Sequence, residues 1–222
     1  LSLAKFLFIA AEEKQPLDTH DVEGFLTYIL ERMDLRRDIH FQTNTTIDTL
    51  DYSGTGLNTG SKVIFAAVGD PIRTLCREMP DSLKELRGFE HARMIMPGIV
   101  ALQAPAFTTY DAAQQELDEL CEAIRSRGAL PECPLIVLCD DSGFMSETLN
   151  NFLWAAFTRS NPSHDMYGVN SGFEFKHWAC DNVILDARIK PHQAPSLVPD
   201  PEVAKRIERL FVNGASLSGV RI

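Results

Sequence analysis

The chain has 222 residues, and its 31 acidic and 21 basic side chains give a formal net charge of −10. Proteins that bind nucleic acid neutralise phosphates with lysines and arginines, so this surplus of carboxylates predicts no nucleic-acid partner. The longest apolar run, residues 6–11, is far shorter than the roughly 20 residues of a membrane helix. Length and composition therefore predict a globular protein without a membrane span.

The cysteines indicate the cellular compartment, and the first residue indicates whether the chain is part of a longer protein. Five cysteines form an odd set, in a chain without a positively charged start, an apolar segment and a cleavage site. This pattern predicts the reducing cytoplasm. The chain begins with a leucine inside an apolar segment, so we expect it to be a piece of a longer protein.

An internal duplication is predicted by two segments that align without gaps. Residues 25–39, FLTYILERMDLRRDI, align with residues 152–166, FLWAAFTRSNPSHDM. Each copy follows an apolar run and precedes a second one, at residues 61–67 or 181–187. We therefore predict an α/β fold of layered mixed sheets with helices, built from duplicated strand-helix-strand units. The predicted divisions are a first copy at 1–70, a connection of strand and helices at 71–130, and a diverged second copy with a C-terminal helix at 131–222.

Strands and helices alternate in the predicted order. The runs 6–11, 99–103 and 135–139 are short, rich in branched or aromatic residues and not alternating, which is typical of strands covered on both faces. Apolar residues at helical spacing predict four helices, near 22–33, 113–124, 149–157 and 203–211.

The ends of these helices also have signals. Asp18 or Thr19 can cap the first, and residues 146–148 can open the third. Gly128 suits the end of the second helix, and Asp200 followed by proline suits the start of the last.

The glycine-rich loop 53–62 has two interpretations. Its glycines and Lys62 could surround a phosphate, but a P-loop needs glycine, lysine and serine or threonine leading into a helix. Here the order is Gly60, Ser61, Lys62, and a strand is predicted to follow. A connection whose glycines adopt positive φ is the favoured interpretation.

Two aspartates follow the predicted strand at 135–139, where ligands often bind in α/β sheets. Asp140 and Asp141 could therefore contact a ligand, although a helix cap or a turn with Ser142 and Gly143 is favoured. His177 and Cys180 are the closest histidine and cysteine pair, and they lack the second pair of a structural zinc site. We predict no metal site and no catalytic residue.

A family resemblance rests on residues 43–62, TNTTIDTLDYSGTGLNTGSK. This segment resembles the part of the UbiD family of decarboxylases in which an NTPIDYLDF-like run is followed by a GLGSK-like run and a strand. Residues 32–38, RMDLRRD, resemble the family's TRMDPARD-like run, whereas residues 64–70, IFAAVGD, depart from its IDAT-like run followed by a lysine. The similarity is strong over residues 5–68 and weak beyond them.

The resemblance implies reversible, non-oxidative decarboxylation of an aromatic or unsaturated acid, such as a polyprenyl-hydroxybenzoate in ubiquinone biosynthesis. It also implies prenylated FMN with a divalent metal and potassium for the full-length enzyme. The family's catalytic run, EGPFGE-like, does not occur here. We therefore expect a C-terminal fragment that binds no cofactor itself, with an upstream catalytic domain of the same protein and a homo-oligomer as its partners.

Within that resemblance, four loop residues are predicted to line the mouth of the substrate site, namely Thr46, Ile47, Asp48 and Leu50. An alternative interpretation is that Asp48 and Asp51 only hold the loop through turn hydrogen bonds. Arg32 and Arg159 are kept in both copies, and we expect carboxylates or carbonyls of their own copy, Asp38 and Asp165 first, to anchor them. The rival function is a non-catalytic interaction or assembly module.

Overall fold

The computed structural model describes residues 4–11, 17–18, 20–48, 50–56, 58–128, 130–194, 198 and 200–220. Strands and helices alternate along the described chain. The strands are β1 Phe6–Ala10, β2 Ile39–Thr45, β3 Gly60–Ala67, β4 Glu90–Met96, β5 Ile99–Gln103, β6 Leu135–Cys139, β7 Met166–Val169, β8 Gly172–Glu174, β9 His177–Ala179 and β10 Asn182–Asp186. The helices are α1 Val22–Arg32, α2 Tyr110–Arg127, α3 Ser142–Glu147, α4 Leu149–Thr158, α5 Pro162–Asp165 and α6 Pro201–Glu208, and a short 3-10 helix spans Asp81–Leu83.

Two mixed sheets carry the fold, which confirms the predicted α/β class. The first sheet has the order β1-β3-β2, and the second has the order β4-β5-β6-β10-β7. In the second sheet β5, β6 and β10 are parallel, and the outer strands β4 and β7 are antiparallel to their neighbours. Strands β8 and β9 form a separate hairpin.

The segment from β1 to β3, called the first unit, and the segment from β6 to β10, called the second unit, have the same strand arrangement. In the first unit the last strand lies between the other two, parallel to β1 and antiparallel to β2. In the second unit β10 lies in the same way between β6 and β7. This order agrees with the predicted repeat, and the duplication itself stays a prediction.

Short polar side chains begin the helices. Thr148 accepts a hydrogen bond from Asn151 N, and Asp200 accepts from two amides of α6, as expected from the sequence. The predicted cap of α1 was wrong in one respect. Asp21, not Asp18, accepts from Gly24 N, whereas Asp18 accepts from His20 N, and Thr19 lies outside the described residues.

The main core lies between the first sheet, α1, α4 and the facing side of the second sheet. A second cluster packs α2 against the opposite side of the five-stranded sheet. Strands β5 and β6 are covered on both faces, as predicted, but β1 is not. Leu7 and Ile9 are 39% and 46% exposed, because alternate residues of β1 lie on a sheet face that is turned away from the core. None of the helices formed by the described residues is long and apolar enough to cross a membrane.

Candidate functional site

Charged side chains gather where the parallel strands of the five-stranded sheet end. Asp186 ends β10, Arg188 and Lys190 follow it, and Asp165 precedes the antiparallel strand β7 at the same edge. We call these four residues the carboxyl-edge cluster. All four are at most 1% exposed, so the sheet fold places four ionisable groups in its interior.

Arg188 is held by two carboxylates and a carbonyl. Its guanidinium donates to both oxygens of Asp186, to Glu116 Oε2 at 2.6 Å and to Pro105 O at 2.9 Å. Burial alone would lower the pKa of Arg188, but these hydrogen bonds and charges outweigh burial and raise it. The arginine is therefore a permanent cation with its donors engaged.

Lys190 and Asp165 form the second half of the cluster. Lys190 Nζ lies 3.2 Å from Asp165 Oδ1 and donates to Asp186 O at 2.6 Å and to Arg159 O at 3.2 Å. Asp165 Oδ2 accepts from Asn161 N at 2.6 Å. Burial raises the pKa of Asp165 to about 6, although the charge of Lys190 and the Asn161 amide lower it. These contacts bind protein groups to one another and present no free nucleophile.

Lys5 connects the two units through the family-like loop. Its Nζ donates to Asp51 Oδ1 at 3.0 Å, to Ser53 Oγ at 2.7 Å and to Ser160 O at 3.0 Å. His192 Nε2 lies 3.3 Å from Ser53 O on the same loop. We call Lys5, Asp51, Ser53 and Ser160 the Lys5 junction. It positions residues 50–56 against the second unit, next to the carboxyl-edge cluster.

A second contact lies at the end of the same loop. Ser61 donates a short hydrogen bond to Asn161 Oδ1 and accepts one from Ser163 N at 2.8 Å. Asn161 Nδ2 also donates to Thr59 O at 3.3 Å. Ser61 and Asn161 are buried, so the loop is fixed to the second unit at its middle, through Asp51 and Ser53, and at its C-terminal end.

The four predicted loop residues lie together, but in different environments. Thr46 is exposed and donates to Asn58 Oδ1, and Leu50 is 78% exposed. Ile47 is half-buried and packs against Gly60, so closely that a Cβ added at Gly60 would overlap Ile47 Cγ2. Asp48 Oδ1 accepts from Leu50 N at 2.9 Å, the turn contact of the alternative interpretation. Thr46 and Leu50 are the two of the four that are exposed, whereas Ile47 and Asp48 are half-buried.

The loop does not fit a flavin phosphate. Lys62 is buried, and its Nζ donates to Ala4 O at 3.1 Å rather than toward the loop. The segment continues as β3 from Gly60, so no helix N-terminus adds amides at this place. The loop is therefore a plain connection, as favoured, but the expected positive φ of its glycines was wrong. Gly54, Gly56 and Gly60 do not have positive φ, and Asn58, with φ 61°, takes the left-handed conformation instead.

The two arginines kept in both copies are anchored, but not by the expected aspartates. Arg32 contacts Glu31 Oε2 at 3.1 Å, its own helix carbonyl at Tyr28 and the Tyr28 ring. Arg159 contacts Asp140 Oδ2 at 3.4 Å. Asp38 and Asp165 were the wrong candidates, because Arg37 and the amide of Asp34 contact Asp38, while Lys190 and Asn161 contact Asp165.

The aspartates after β6 have structural roles. Asp141 Oδ1 accepts from Phe144 N and caps α3, which agrees with the favoured interpretation as a cap. Asp140 Oδ2 accepts from Ile189 N at 2.9 Å. Among the described residues there is no group of three or more side chains placed to hold a metal ion.

The chain is similar in sequence to one protein family and to several known proteins. Residues 1–67 match the family model of the 3-octaprenyl-4-hydroxybenzoate carboxy-lyase C-terminal domain. The chain is 34% identical over 192 residues to an uncharacterized protein of Chlamydia trachomatis serovar D, covering 86% of this chain and 31% of that protein. It is 31% identical over 210 residues to a Chlamydia pneumoniae protein named as a subunit of 4-hydroxybenzoate decarboxylase, covering 93% and 33%. The chain thus spans about a third of the length of the curated relatives it matches.

Proposed function

The chain is a UbiD-like C-terminal domain protein, and we propose that it forms the C-terminal part of a carboxy-lyase acting on an aromatic or unsaturated acid. A polyprenyl-hydroxybenzoate is the substrate class that we favour. In this proposal the chain shapes the mouth of the substrate site and part of the oligomer, while the chemistry takes place in an upstream domain of the same protein.

The extent of the matches supports this division of roles. The family model covers the first unit, including the loop and most of the Lys5 junction. The Chlamydia relatives match over 86% and 93% of the chain, so the second unit belongs to the shared sequence as well. Because those relatives are about three times as long, most of their sequence lies outside the part that this chain matches.

The loop is the single feature that carries the proposal. Its middle and its C-terminal end are fixed by buried or half-buried polar contacts, yet it presents Thr46, Leu50 and the 57% exposed Tyr52 outward. Rigid scaffolds that present exposed loop residues are typical of binding sites. The carboxyl-edge cluster is a weaker candidate for chemistry, since its charges are neutralised within the protein.

The remaining parts of the proposal concern what accompanies the chain. Prenylated FMN with a divalent metal and potassium would bind to the upstream domain, where it would supply the decarboxylation chemistry. The assembled enzyme would be a cytoplasmic homo-oligomer that uses the cofactor outside this chain.

A non-catalytic assembly module is the second candidate, and one observation favours it. The β8–β9 hairpin exposes Phe173 by 79% and Phe175 by 97%. Large apolar side chains exposed together in this way often mark protein contacts. In this alternative the hairpin, rather than the loop, would be the functional surface.

The loop proposal can be tested in the longer protein by comparing Leu50→Ala with Val212→Ala. Val212 is a matched control, since it is 58% exposed and far along the chain in the C-terminal segment. We expect Leu50→Ala to change the ratio of kcat/KM values for a long and a short aromatic acid by about tenfold. Val212→Ala should leave this ratio unchanged.

Two outcomes separate the candidate functions. An unchanged ratio in Leu50→Ala contradicts the role of the loop. Loss of assembly in Phe175→Ser, measured by light scattering, together with unchanged kcat/KM in both variants, favours the assembly module. The chain alone should neither bind flavin in a titration nor release carbon dioxide, and activity in the chain alone would overturn the division of roles.

A further inference from the structure

Two cysteines from distant segments lie side by side next to the start of β6. Cys76 belongs to the connection between β3 and the 3-10 helix, and Cys133 lies just before β6. Cys76 N donates to Glu132 O at 2.8 Å, and Gly98 N donates to Cys76 O at 3.0 Å. The first of these bonds places Cys76 beside Cys133, where the two thiols hydrogen-bond, and Cys133 Sγ also contacts Leu135 O at 3.9 Å.

The two thiols are chemically different. Cys133 is fully buried, whereas Cys76 is half-buried and reachable from solvent. The hydrogen bond from Cys133, aided by the Gly98 amide, lowers the pKa of Cys76 to about 7 against burial and the charge of Glu132. The same hydrogen bond raises the pKa of Cys133 well above its ordinary value. Cys76 is therefore the attacking thiolate and Cys133 the resolving thiol.

We propose that Cys76 and Cys133 form a reversible dithiol–disulfide modification site that is oxidised by small-molecule disulfides such as oxidised glutathione. The Cys76 thiolate attacks one sulfur of the small disulfide, whose S–S bond breaks and releases one thiolate. Cys133 then gives its proton to the released small thiolate and attacks the Cys76 sulfur, which releases the second thiolate; that thiolate takes from solvent the proton that Cys76 gave up on ionising. Two protein thiols and one small disulfide thus become one protein disulfide and two small thiols, and a small dithiol reverses the exchange.

The position of the pair gives this modification a structural consequence. The segment of Cys76 is also tied to α1, because Arg73 donates to the carbonyls of Leu30 and Met33, each at 2.6 Å. A disulfide to Cys133 would connect that segment covalently to β6. Oxidation would then fix the first unit to the five-stranded sheet. This inference is independent of the proposed function, because it uses neither the loop nor any upstream domain.

The test uses the purified chain incubated with oxidised glutathione, followed by thiol titration in denaturant and intact mass. Wild type should lose two of its five thiols and two hydrogen atoms in mass, without a retained glutathione adduct. Its thermal midpoint should rise by about 5 °C or more, and a small dithiol should reverse the rise. A stable adduct, or no loss of thiols, overturns the proposal.

Three variants assign the roles. Cys76→Ser should lose no thiols, Cys133→Ser should stop as a glutathione adduct on Cys76, and the control Cys121→Ser should behave as wild type. Cys121 is a suitable control because it is also half-buried, while burial raises its pKa to about 11.

A serine at the buried position 133 risks unfolding the chain, so alkylation of the wild type gives a second readout. Cys76 should react with iodoacetamide half-maximally near pH 7. Reaction of Cys76 only at the higher pH required by Cys121, or equal thiol loss in Cys76→Ser and wild type, contradicts the site.

Discussion

Replacing Lys5 with methionine is the sharpest test of how the family-like loop is positioned. Lys5 and Asp51 side chains are only 13% and 12% exposed, and the ammonium also donates to Ser53 Oγ and Ser160 O. Methionine keeps most of the aliphatic length but removes all three donated bonds. The half-buried carboxylate of Asp51 then keeps only its hydrogen bonds from Ser53.

The magnitude follows from these contacts. A charge-assisted bond contributes about 1.5–3 kcal/mol, and each bond to a neutral oxygen contributes about 0.5–1.5 kcal/mol. This loss of stability is offset in part, because methionine carries no charge. It therefore avoids the cost of burying an ammonium, the effect that lowers the pKa of Lys5. We expect the free energy of unfolding to fall by about 2–4 kcal/mol, which overlaps the about 3–5 kcal/mol typical of breaking a fully buried pair.

The assay is urea unfolding of the chain at neutral pH, with Lys84→Met as the matched control. Lys84 contacts Asp81 at 2.7 Å, but the Asp81 side chain is 94% exposed, so loss of this pair should leave the stability nearly unchanged. A cycle with Asp51→Asn should give a coupling energy of about 1–3 kcal/mol. Equal losses in Lys5→Met and Lys84→Met, or no coupling, would refute the junction as the anchor of the loop.

Three further predictions concern single positions. The pKa of Asp165 is raised above its ordinary 3.8 to about 6, so its favourable contribution is present below about pH 4 and lost as pH rises through 6. The free energy of unfolding of wild type minus that of Asp165→Asn, measured by urea unfolding, should therefore decrease as the pH rises from about 4 to 6. A difference that does not change with pH contradicts the burial argument. Gly60→Ala should destabilise by about 1–3 kcal/mol, because its Cβ would overlap Ile47, and thermal unfolding measures this. Thr148→Ala should cost about 1 kcal/mol by loss of the cap on Asn151 N, read from the same melts, whereas an unchanged midpoint contradicts the cap.

Local features of the fold could be predicted because their causes lie within a few residues. The spacing of apolar residues fixes which face of α2 or α4 is buried, and a cap such as Thr148 contacts an amide three positions away. The exposed face of β1 could not be predicted in this way. Its apolar residues resemble those of a central strand, and only the strand order shows that it is at an edge.

In the candidate site, too, some features have local causes in the sequence and others depend on the whole fold. The loop residues Thr46 and Leu50 were indicated by a motif that is continuous in sequence. Several contacts that hold this loop join residues 100 or more positions apart, such as Ser61 with Asn161 and Lys5 with Ser160. No periodicity or local spacing indicates such pairs, because the chain path that brings them together is set by packing of the whole core.

The aspartates kept in the two units, Asp38 and Asp165, are explained by backbone geometry rather than by chemistry. Asp38 Oδ2 accepts from Asp34 N at 2.8 Å, and Asp165 Oδ2 accepts from Asn161 N at 2.6 Å, so each carboxylate closes the same turn before a strand. Their electrostatics differ, however. Burial pushes both pKa values upward, but Arg37 and the Asp34 amide reverse this for Asp38, whereas Asp165 stays raised.

A group with a catalytic task needs a particular pKa, whereas a group that closes a turn needs only its oxygen in place. The shared turn with opposite pKa shifts therefore assigns both aspartates to the backbone. Function should then be sought where the units differ, between their second and last strands. There the first unit has the polar loop at 46–59, which contacts Asn161, and the second has the aromatic hairpin at 172–179, whose Trp178 ring packs against Phe41. Each connection reaches the other unit, and in the proposed function its remaining exposed residues form the surface available to the upstream domain.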